Sequence, residues 1–347
     1  MNGTPTGGSP TGGSAAGASP MRAWLVREHG RPADVLHLDD APIPQPGPGQ
    51  VLVRVRAAAL NFADSLLCTG RYQEHPPFPF SPGLELAGEV VAVGPGSTHA
   101  VGDRVSGSPL LPHGALAEHA LAADHDVFTL PATIDDATAA AMHVTYQTGW
   151  FALHRRAQLQ AGETLLVHAG AGGVGSAAIQ LGVAAGATVV ATAGGPDKVE
   201  RCRELGAHHV VDHRADDFVA VVNELTDGRG ADVIFDSVGG ETFVRSTKCI
   251  AWEGRIVIIG AAGGDYAEAR TNHAMVKTYG VLGLNWGGYR TRRPELVAEA
   301  HRALVAAHEH GHVAPLISER LPLDADVPAA LDRLTGRATV GKIVIEA

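Results

Sequence analysis

One stretch constrains this chain more than any other: Glu163–Lys198 has the pattern of a strand, a glycine-rich turn, a helix and a second strand. Leu165–Ala169 is a short apolar run, which is typical of a strand buried on both faces of a parallel sheet. Helix-forming residues follow over Ser176–Ala185, and Ala187–Thr192 predicts the second strand. The stretch therefore predicts one unit of a doubly wound α/β sheet.

The turn places Gly170, Gly172 and Gly175 in the spacing G-x-G-x-x-G, with Gly173 and Val174 inside it. Glycines at this spacing permit a tight turn, a close approach of the backbone to a pyrophosphate and close packing of the helix on the strand. The helix start then offers free N–H groups to the phosphates. The alternative is a turn without a ligand, since 43 glycines in 347 residues produce such triplets by chance. The flanking strand and helix favour a dinucleotide site.

The end of the second strand indicates which dinucleotide binds. NAD sites place an acidic residue there for the ribose hydroxyls, but this chain has Ala193, Gly194 and Gly195. Lys198 follows, and a cation beside a small turn suits the 2′-phosphate of NADPH. Asp197 is the competing residue, although an acid after Gly195-Pro196 also stabilises a helix start, and Lys198 is alternatively a solvated helix residue. The pattern favours NADPH.

The segment before this unit predicts a small, partly open β-barrel made of short strands and turns. The predicted strands are Met21–Val26, Gln50–Ala58, Leu86–Val93, Arg104–Gly107 and Ala115–Leu121. A helix is predicted over Asp135–Leu153, with Asp135 and Asp136 near its start.

From Glu163 to Leu284 strands and helices alternate, which predicts a parallel sheet with right-handed crossovers. The further strands are Ala207–Val211, Ala231–Phe235, Arg255–Gly260 and Tyr279–Leu284. A helix over Arg293–His310 and a last strand at Ile343–Ile345 then return to the barrel. The nucleotide-binding domain, 144–285, is thus predicted to be inserted in a domain made of 21–143 and 286–347.

The composition of the chain limits the compartment in which the protein is expected to act and the kinds of partner it is expected to bind. Residues 1–20 lack charges and have few apolar side chains, so we expect a disordered tail rather than a signal peptide. No segment has the length of a membrane span, and three scattered cysteines fit a reducing compartment, which predicts a cytoplasmic protein. A net charge of −10 argues against a nucleic-acid partner.

The order of motifs resembles the medium-chain dehydrogenase/reductase superfamily, and within it the zinc-free NADPH:quinone oxidoreductase branch, which is similar to zeta-crystallin. The resemblance covers nearly the whole chain after Met21 and implies a GroES-like barrel beside a Rossmann domain. The motifs that carry it are A-L-N-F-A-D (59–64), G-R-Y (70–72), P-G-L-E-L-A-G-E-V (82–90), V-G-D-R-V (101–105), A-G-A-G-G-V-G (169–175), D-S-V-G-G (236–240) and G-K-I-V (341–344).

The resemblance also implies that no catalytic zinc is bound. Zinc-dependent relatives carry a cysteine where this chain has Asn61 and a glycine-histidine-glutamate where it has Gly83-Leu84-Glu85. Thiolate and imidazole are the ligands that zinc requires at such places. The resemblance therefore implies a reductase rather than an alcohol dehydrogenase.

Carried over position by position, the resemblance implies a set of cofactor contacts. The pyrophosphate falls on Gly170–Gly175, and the 2′-phosphate on Gly194 and Lys198. The family's tyrosine at this phosphate is replaced by His213, next to Arg214, which supplies a planar charged fork. Positions that line the nicotinamide half match Thr145, Val238, Gly260, Ala261, Leu282, Leu284 and Asn285. For Val238, Leu282 and Leu284 a core role is the alternative.

Hydride transfer without a metal builds charge on an acceptor oxygen, which hydrogen-bond donors must then stabilise. Asn61 and Tyr72 are the candidates for this catalytic role, and the alternatives are a turn residue and a half-buried barrel aromatic. Asp64 is expected to cap a helix over Ser65–Thr69. No residue stands out as a dedicated proton donor.

These features predict an NADPH-dependent reductase of a small quinone or an α,β-unsaturated carbonyl compound. Two alternatives stay open: an enoyl-thioester reductase acting on acyl-CoA or carrier-bound substrates, and a non-catalytic NADPH-binding regulatory protein. The first calls for a basic mouth, for which Arg290, Arg292 and Arg293 are candidates unless they form a solvated turn. The resemblance also implies a homodimer that pairs through the edge strand Tyr279–Leu284.

Overall fold

The computed structural model describes residues 20–347. The predicted disordered tail therefore lies, apart from Pro20, outside the described residues. Within the described part of the chain, no helix combines the length and the apolar character that crossing a membrane requires.

The secondary structure comprises strands and helices in the following order. The strands are β1 (Met21–Val26), β2 (Leu36–Ala41), β3 (Gln50–Ala59), β4 (Leu86–Val93), β5 (Arg104–Pro109), β6 (His119–Thr129), β7 (Thr164–Val167), β8 (Thr188–Ala193), β9 (His209–Asp212), β10 (Ala231–Asp236), β11 (Ile250–Ile258), β12 (Gly280–Gly283), β13 (Ile317–Pro322) and β14 (Lys342–Glu346). The helices are α1 (Pro32–Val35), α2 (Phe62–Cys68), α3 (Asp136–Trp150), α4 (Gly173–Ala184), α5 (Pro196–Glu204), α6 (Phe218–Leu225), α7 (Gly240–Ser246), α8 (Thr271–Lys277), α9 (Gly287–Arg292), α10 (Pro294–Glu309) and α11 (Val327–Thr335).

Six strands form a parallel sheet in the order β12-β11-β10-β7-β8-β9. All four residues of β7 are buried, as expected for a central strand that is covered by helices on both faces. The order reverses between β7 and β10, and such a reversal opens a crevice at the carboxyl ends of the strands. The predicted doubly wound Rossmann sheet is confirmed.

The other large sheet has the order β13-β14-β3-β4-β5-β6, and β3 pairs a second time with β6. This second pairing closes β3 to β6 into a ring, while β13 and β14 extend it on one side, so the predicted partly open barrel is confirmed. A separate hairpin of β1 and β2 packs beside it. β14 comes from the end of the chain and joins β3 antiparallel through Val344 and Ala59.

The described chain thus enters the barrel, crosses to the parallel sheet and returns. α3 lies at the crossing and continues as a π-helical segment, Phe151–Arg156. The Asp135 side chain caps α3 by accepting from Thr138 N at 2.9 Å, as its position in the sequence suggests. The domain boundaries predicted at 143/144 and 285/286 fall within α3 and just before α9, and they stay predictions.

Three local predictions need correction. The strand expected at Ala115–Leu121 begins at His119 and runs to Thr129, because Ala115 N and Leu116 N donate to Gly83 O and Pro82 O in a loop instead of a strand. The short helix expected over Ser65–Thr69 is α2, which begins at Phe62 with Asn61 as its N-cap. β2, which pairs with β1, was not predicted, because the short helix α1 lies between the two strands in the sequence.

Candidate active site

The predicted cofactor residues meet at the carboxyl edge of the parallel sheet. Segments that leave the ends of β7, β8, β9, β10, β11 and β12 all lie there, because parallel strands end at the same edge. The glycine turn follows β7, directly at the point where the strand order reverses. Ligands of doubly wound sheets bind at such a point.

The glycines of the turn have different surroundings. A Cβ added at Gly175 would lie 2.2 Å from Ala169 O, and one at Gly170 would lie 2.9 Å from the Cys202 sulfur. These two glycines therefore let the turn and α4 pack closely on β7 and its neighbours. A Cβ at Gly172 would meet Ala169 O alone, at 3.3 Å. Gly172 is the N-cap of α4, so its open side and the free N–H groups of the first helical turn can receive a pyrophosphate.

Gly173 has another neighbourhood, because the turn contacts the barrel domain there. A Cβ at Gly173 would lie 3.0 Å from Lys342 Cδ and 3.2 Å from Thr145 Cγ2. Next to this contact, Gly341 N donates to Ala171 O at 2.7 Å. Thr145, expected beside the nicotinamide ring, is thus buried against the turn, and its hydroxyl donates to Ala141 O at 2.9 Å.

A cluster of cations lies where the 2′-phosphate is expected. A Cβ at Gly194 would lie 2.9 Å from His213 Nε2 and 3.1 Å from Arg214 Nε, so both side chains border this turn. Burial and then the charge of Arg214 lower the pKa of Lys198. Within residues 20–347, neither Lys198 nor Arg214 forms an ion pair with a carboxylate. Neighbouring cations without a counter-ion fit a phosphate.

Arg337 belongs to the same place, and the sequence analysis missed it. Lys198 Nζ donates to Arg337 O at 2.7 Å, and Arg337 Nη2 donates to Ala262 O at 2.9 Å. Arg337 lies in the loop before the G-K-I-V motif, 139 positions after Lys198. No local pattern connects the two residues, so the fold alone brings the Arg337 carbonyl to Lys198, while the Arg337 guanidinium lies against the loop after β11.

The residues expected at the nicotinamide half follow β10, β11 and β12. Val238 N and Gly239 N donate to the buried carboxylate of Asp236 at 2.9 Å, which fixes the turn after β10. The remaining members lie at the adjacent strand ends and are Gly260, Ala261, Leu282, Leu284 and Asn285. Leu282 and Leu284 are partly buried against the main core, which agrees with the alternative of a packing role.

Asn61 lies in a buried ring of hydrogen bonds with Lys342 and Glu85. Lys342 Nζ donates at 2.7 Å to Asn61 Oδ1, to Glu85 Oε1 and to Leu60 O. Asn61 Nδ2 donates to Glu85 Oε1 at 2.8 Å and to Ala59 O at 3.1 Å. Both amide hydrogens of Asn61 are therefore engaged within the protein.

The second carboxylate oxygen of Glu85 accepts from Val144 N at 2.6 Å, which ties the ring to α3. The motifs P-G-L-E-L-A-G-E-V and G-K-I-V contain Glu85 and Lys342, but neither residue was singled out from the sequence. Each charge is flanked by apolar residues, as in Leu84-Glu85-Leu86 and Lys342-Ile343-Val344, and this signal could have identified both, because buried charges require partners.

Tyr72, the other catalytic candidate, follows α2, the helix that Asn61 begins. It is half-buried against the barrel core. Burial raises the pKa of Tyr72 to about 12, and the negative charges of Glu74 and Asp64 add to the shift. In the part of the chain described, its hydroxyl has no hydrogen-bond partner, so Tyr72 is a protonated donor available to a ligand at neutral pH.

Asp64 is buried and structural in its contacts. Its carboxylate accepts from Asn61 N at 2.7 Å and from Gly83 N at 3.0 Å, which joins the start of α2 to the loop before β4.

Between positions 20 and 347, no group of three or more His, Cys, Asp or Glu side chains has an arrangement that could hold a metal ion.

Of the arginines proposed as a basic mouth, Arg290 and Arg293 form ion pairs, and Arg292 is exposed and forms none within residues 20–347. Arg290 forms an ion pair with Asp126 at 2.9 Å, with side chains only 13% and 6% exposed. Arg293 pairs with Glu295. Arg290 is thus a buried tie between α9 and β6 and not part of a solvated turn.

Comparisons with known proteins agree with this geometry. The family model of the alcohol dehydrogenase GroES-like domain matches residues 47–132, and the model described as zinc-binding dehydrogenase matches residues 173–302. The chain is 36% identical over 326 residues to a quinone oxidoreductase-like protein 2 homolog of Nematostella vectensis, which covers 93% of this chain and 88% of that protein.

Two solved structures are informative. A mycobacterial protein complexed with NADPH has 32% identity and a TM-score of 0.87, with 94% of this chain and 100% of that chain covered. The CurK enoyl reductase has 29% identity and a TM-score of 0.83, with 95% and 99% covered.

The cofactor is NADPH. It fits the residues present, because the open turn at Gly172 suits a pyrophosphate and the uncompensated charges of Lys198 and Arg214 suit a 2′-phosphate. By its two matched domains, its relatives and its fold, this chain belongs to the medium-chain dehydrogenase/reductase superfamily, in the quinone oxidoreductase branch.

Proposed function

We propose that this NADPH-dependent oxidoreductase reduces a quinone or an α,β-unsaturated carbonyl compound without a catalytic zinc ion. The ring of Asn61, Glu85 and Lys342 carries the proposal. Asn61 stands where the resemblance places a metal-binding cysteine of zinc-dependent relatives, and Leu84, next to Glu85, stands where it places their histidine. The ring therefore offers an amide, a carboxylate and an ammonium group at a place that lacks the thiolate and the imidazole. Activation of the acceptor then falls to hydrogen-bond donors.

The residues of this chain divide the remaining work. NADPH, when bound, supplies the hydride. Gly170–Gly175 hold the pyrophosphate, and Gly194, Lys198, His213 and Arg214 hold the 2′-phosphate, whereas Thr145, Val238, Gly260, Ala261, Leu282, Leu284 and Asn285 border the nicotinamide half. Tyr72 donates a hydrogen bond to the acceptor oxygen through its hydroxyl, which is protonated at neutral pH, as that of any ordinary tyrosine is, and has no partner within residues 20–347. Asn61 shapes the pocket wall from its place in the ring.

An enoyl-thioester reductase is the second candidate. The similarity to the CurK enoyl reductase favours it. The buried ion pair of Arg290 with Asp126 argues against a role of Arg290 in a basic mouth for the phosphates of coenzyme A, whereas Arg292 and Arg293 are exposed and stay candidates for it. A non-catalytic NADPH-binding role is the third possibility that the experiment below tests.

The experiment follows the oxidation of NADPH and NADH by absorbance, with a small quinone, a simple enone and a short enoyl-CoA as acceptors, in the presence and absence of a chelator. We expect turnover with NADPH and the quinone or enone, little turnover with NADH, and no effect of the chelator. A requirement for the thioester would establish the second candidate. Tight binding of NADPH without turnover on any acceptor would support the non-catalytic role and reject the proposal.

A further inference from the structure

Lys342 is a buried charge whose contacts join the cofactor turn to the pocket wall. Its side chain is 4% exposed, and that of its partner Glu85 is fully buried. Removal of both charges from water costs free energy, and an apolar residue of the same length would avoid this cost. The position of the ammonium group therefore needs an explanation other than packing.

The ammonium group has three hydrogens and three acceptors, each at 2.7 Å. The acceptors belong to Leu60, Asn61 and Glu85, so they come from the end of β3 and the start of β4. A lysine has only donors to offer, so it must face Oδ1 of Asn61, and the carboxylate of Glu85 must face Nδ2. Lys342 and Glu85 together hold the Asn61 amide in one of its two flipped orientations.

The aliphatic part of Lys342 acts on a different element. Its Cδ lies 3.0 Å from the place a Cβ of Gly173 would occupy, and Gly341, the preceding residue, donates its N–H to Ala171 O at 2.7 Å. Both contacts are with the pyrophosphate turn. One side chain thus touches the turn with its methylenes and the catalytic wall with its charge.

We propose that Lys342 is a positioning residue that holds the pyrophosphate turn and the Asn61 amide in a fixed relation to each other. Without its side chain, the turn keeps on this side only its contacts with Gly341 and Thr145, and the amide becomes free to flip. NADPH binding and turnover should therefore weaken together. The effect on NADPH binding is independent of the acceptor, whereas the effect on turnover rests on the function proposed above.

The test uses the double variant Lys342→Ala/Glu85→Gln of the full chain, because alanine removes both the ammonium group and the methylenes that contact the turn. Lys342→Ala alone would leave Glu85 charged and unpaired in the interior, which endangers folding, whereas the double variant removes both members of the ion pair and leaves the hydrogen bonds of the neighbouring buried Asp64 in place. The matched control is Arg255→Ala/Glu163→Gln. In this pair, with side chains 20% and 22% exposed, Glu163 directly precedes β7 and Arg255 pairs in register with Gly280, the first residue of β12, so the pair lies toward the opposite edge of the sheet from the turn.

The dissociation constant of NADPH is measured by fluorescence titration of folded protein, together with kcat and with KM for NADPH. We expect the Lys342→Ala/Glu85→Gln variant to bind NADPH about tenfold more weakly and to turn over more slowly, as for other residues that orient a site indirectly. The Arg255→Ala/Glu163→Gln control should bind NADPH as the unmodified protein does.

Binding of NADPH by Lys342→Ala/Glu85→Gln at the original affinity would overturn the inference, and so would an equal loss in the control. A purely structural contribution of Lys342 would lower the unfolding midpoint of the Lys342→Ala/Glu85→Gln variant and leave the NADPH affinity of its folded molecules unchanged. If the unmodified protein reduces no acceptor, the proposed function fails, but the comparison of NADPH affinities still decides the role of Lys342.

Discussion

Tyr72 and Asn61 were equivalent candidates in the sequence, and their surroundings separate them. Asn61 Nδ2 donates both of its hydrogens, to Glu85 Oε1 and to Ala59 O, whereas the Tyr72 hydroxyl has no hydrogen-bond partner in residues 20–347. A tyrosine hydroxyl is protonated at neutral pH without any shift, and burial that raises the pKa of Tyr72 to about 12 only extends this range. Residue-scale chemistry therefore favours Tyr72 as the group that contacts the acceptor.

The variant Tyr72→Phe tests this assignment. It removes one donor to the developing charge and little volume, so we expect kcat to fall about 100-fold while the dissociation constant of NADPH stays unchanged. Steady-state kinetics and a fluorescence titration measure the two quantities. Tyr266→Phe, at a side chain that is 78% exposed, serves as the control. Unchanged kcat in Tyr72→Phe would remove the hydroxyl from the mechanism.

At the scale of elements, the glycine turn has a packing side and a ligand side. Gly175 lets α4 approach β7, because any Cβ there would overlap Ala169 O. Gly172 faces open space except for one contact at 3.3 Å. The same residue type thus contributes to stability at one position and to binding at another.

Two alanine variants separate these tasks. Gly175→Ala forces α4 away from β7, so we expect it to lower the free energy of unfolding by about 1–3 kcal/mol. Gly172→Ala needs only a small adjustment, so we expect stability close to the original but weaker NADPH binding. Denaturant unfolding and NADPH titration distinguish the two. If both variants lose stability equally, the assignment of packing to Gly175 and of ligand binding to Gly172 is wrong.

At the scale of the whole molecule, β12 is confirmed as an edge strand of the parallel sheet. Exposed apolar side chains lie on it and on the neighbouring α8: Val281 is 37% exposed, Met275 73% and Val276 70%. An unprotected edge with apolar neighbours is suited to pairing with a second copy. We propose, in line with the family resemblance, a homodimer that pairs through β12.

Val281→Lys should dissociate this dimer, because a lysine on an edge strand opposes pairing. Light scattering coupled to size exclusion should give about twice the chain mass of 35.9 kDa for the unmodified protein and the single mass for the variant. Val244→Lys, at a side chain 43% exposed on α7, should remain dimeric. A monomeric unmodified protein would exclude the proposed pairing.

Much of the fold was predictable because it depends on local patterns. Buried parallel strands are continuous apolar runs, so β7, β8, β10 and β11 were found, and the glycine spacing marked the start of α4. Ala115–Ala117 misled the prediction, since loops that are fully buried have the same apolar composition as strands. β2 was missed although Gly30 lies in the connection, because the short helix α1 separates it from β1.

The sequence by itself determined the two-domain α/β architecture, the phosphate-binding turn and the choice of NADPH, because each follows from residues close together in the chain. Tertiary structure decided the rest of the site. Lys342 meets Asn61 across 281 positions and Arg337 meets Lys198 across 139. Such contacts depend on where the strand β14, which comes from the end of the chain, packs in the fold. They also depend on buried charges, which must be paired with whatever groups the fold brings near them. A local sequence pattern specifies neither the packing of β14 nor the partner of a buried charge.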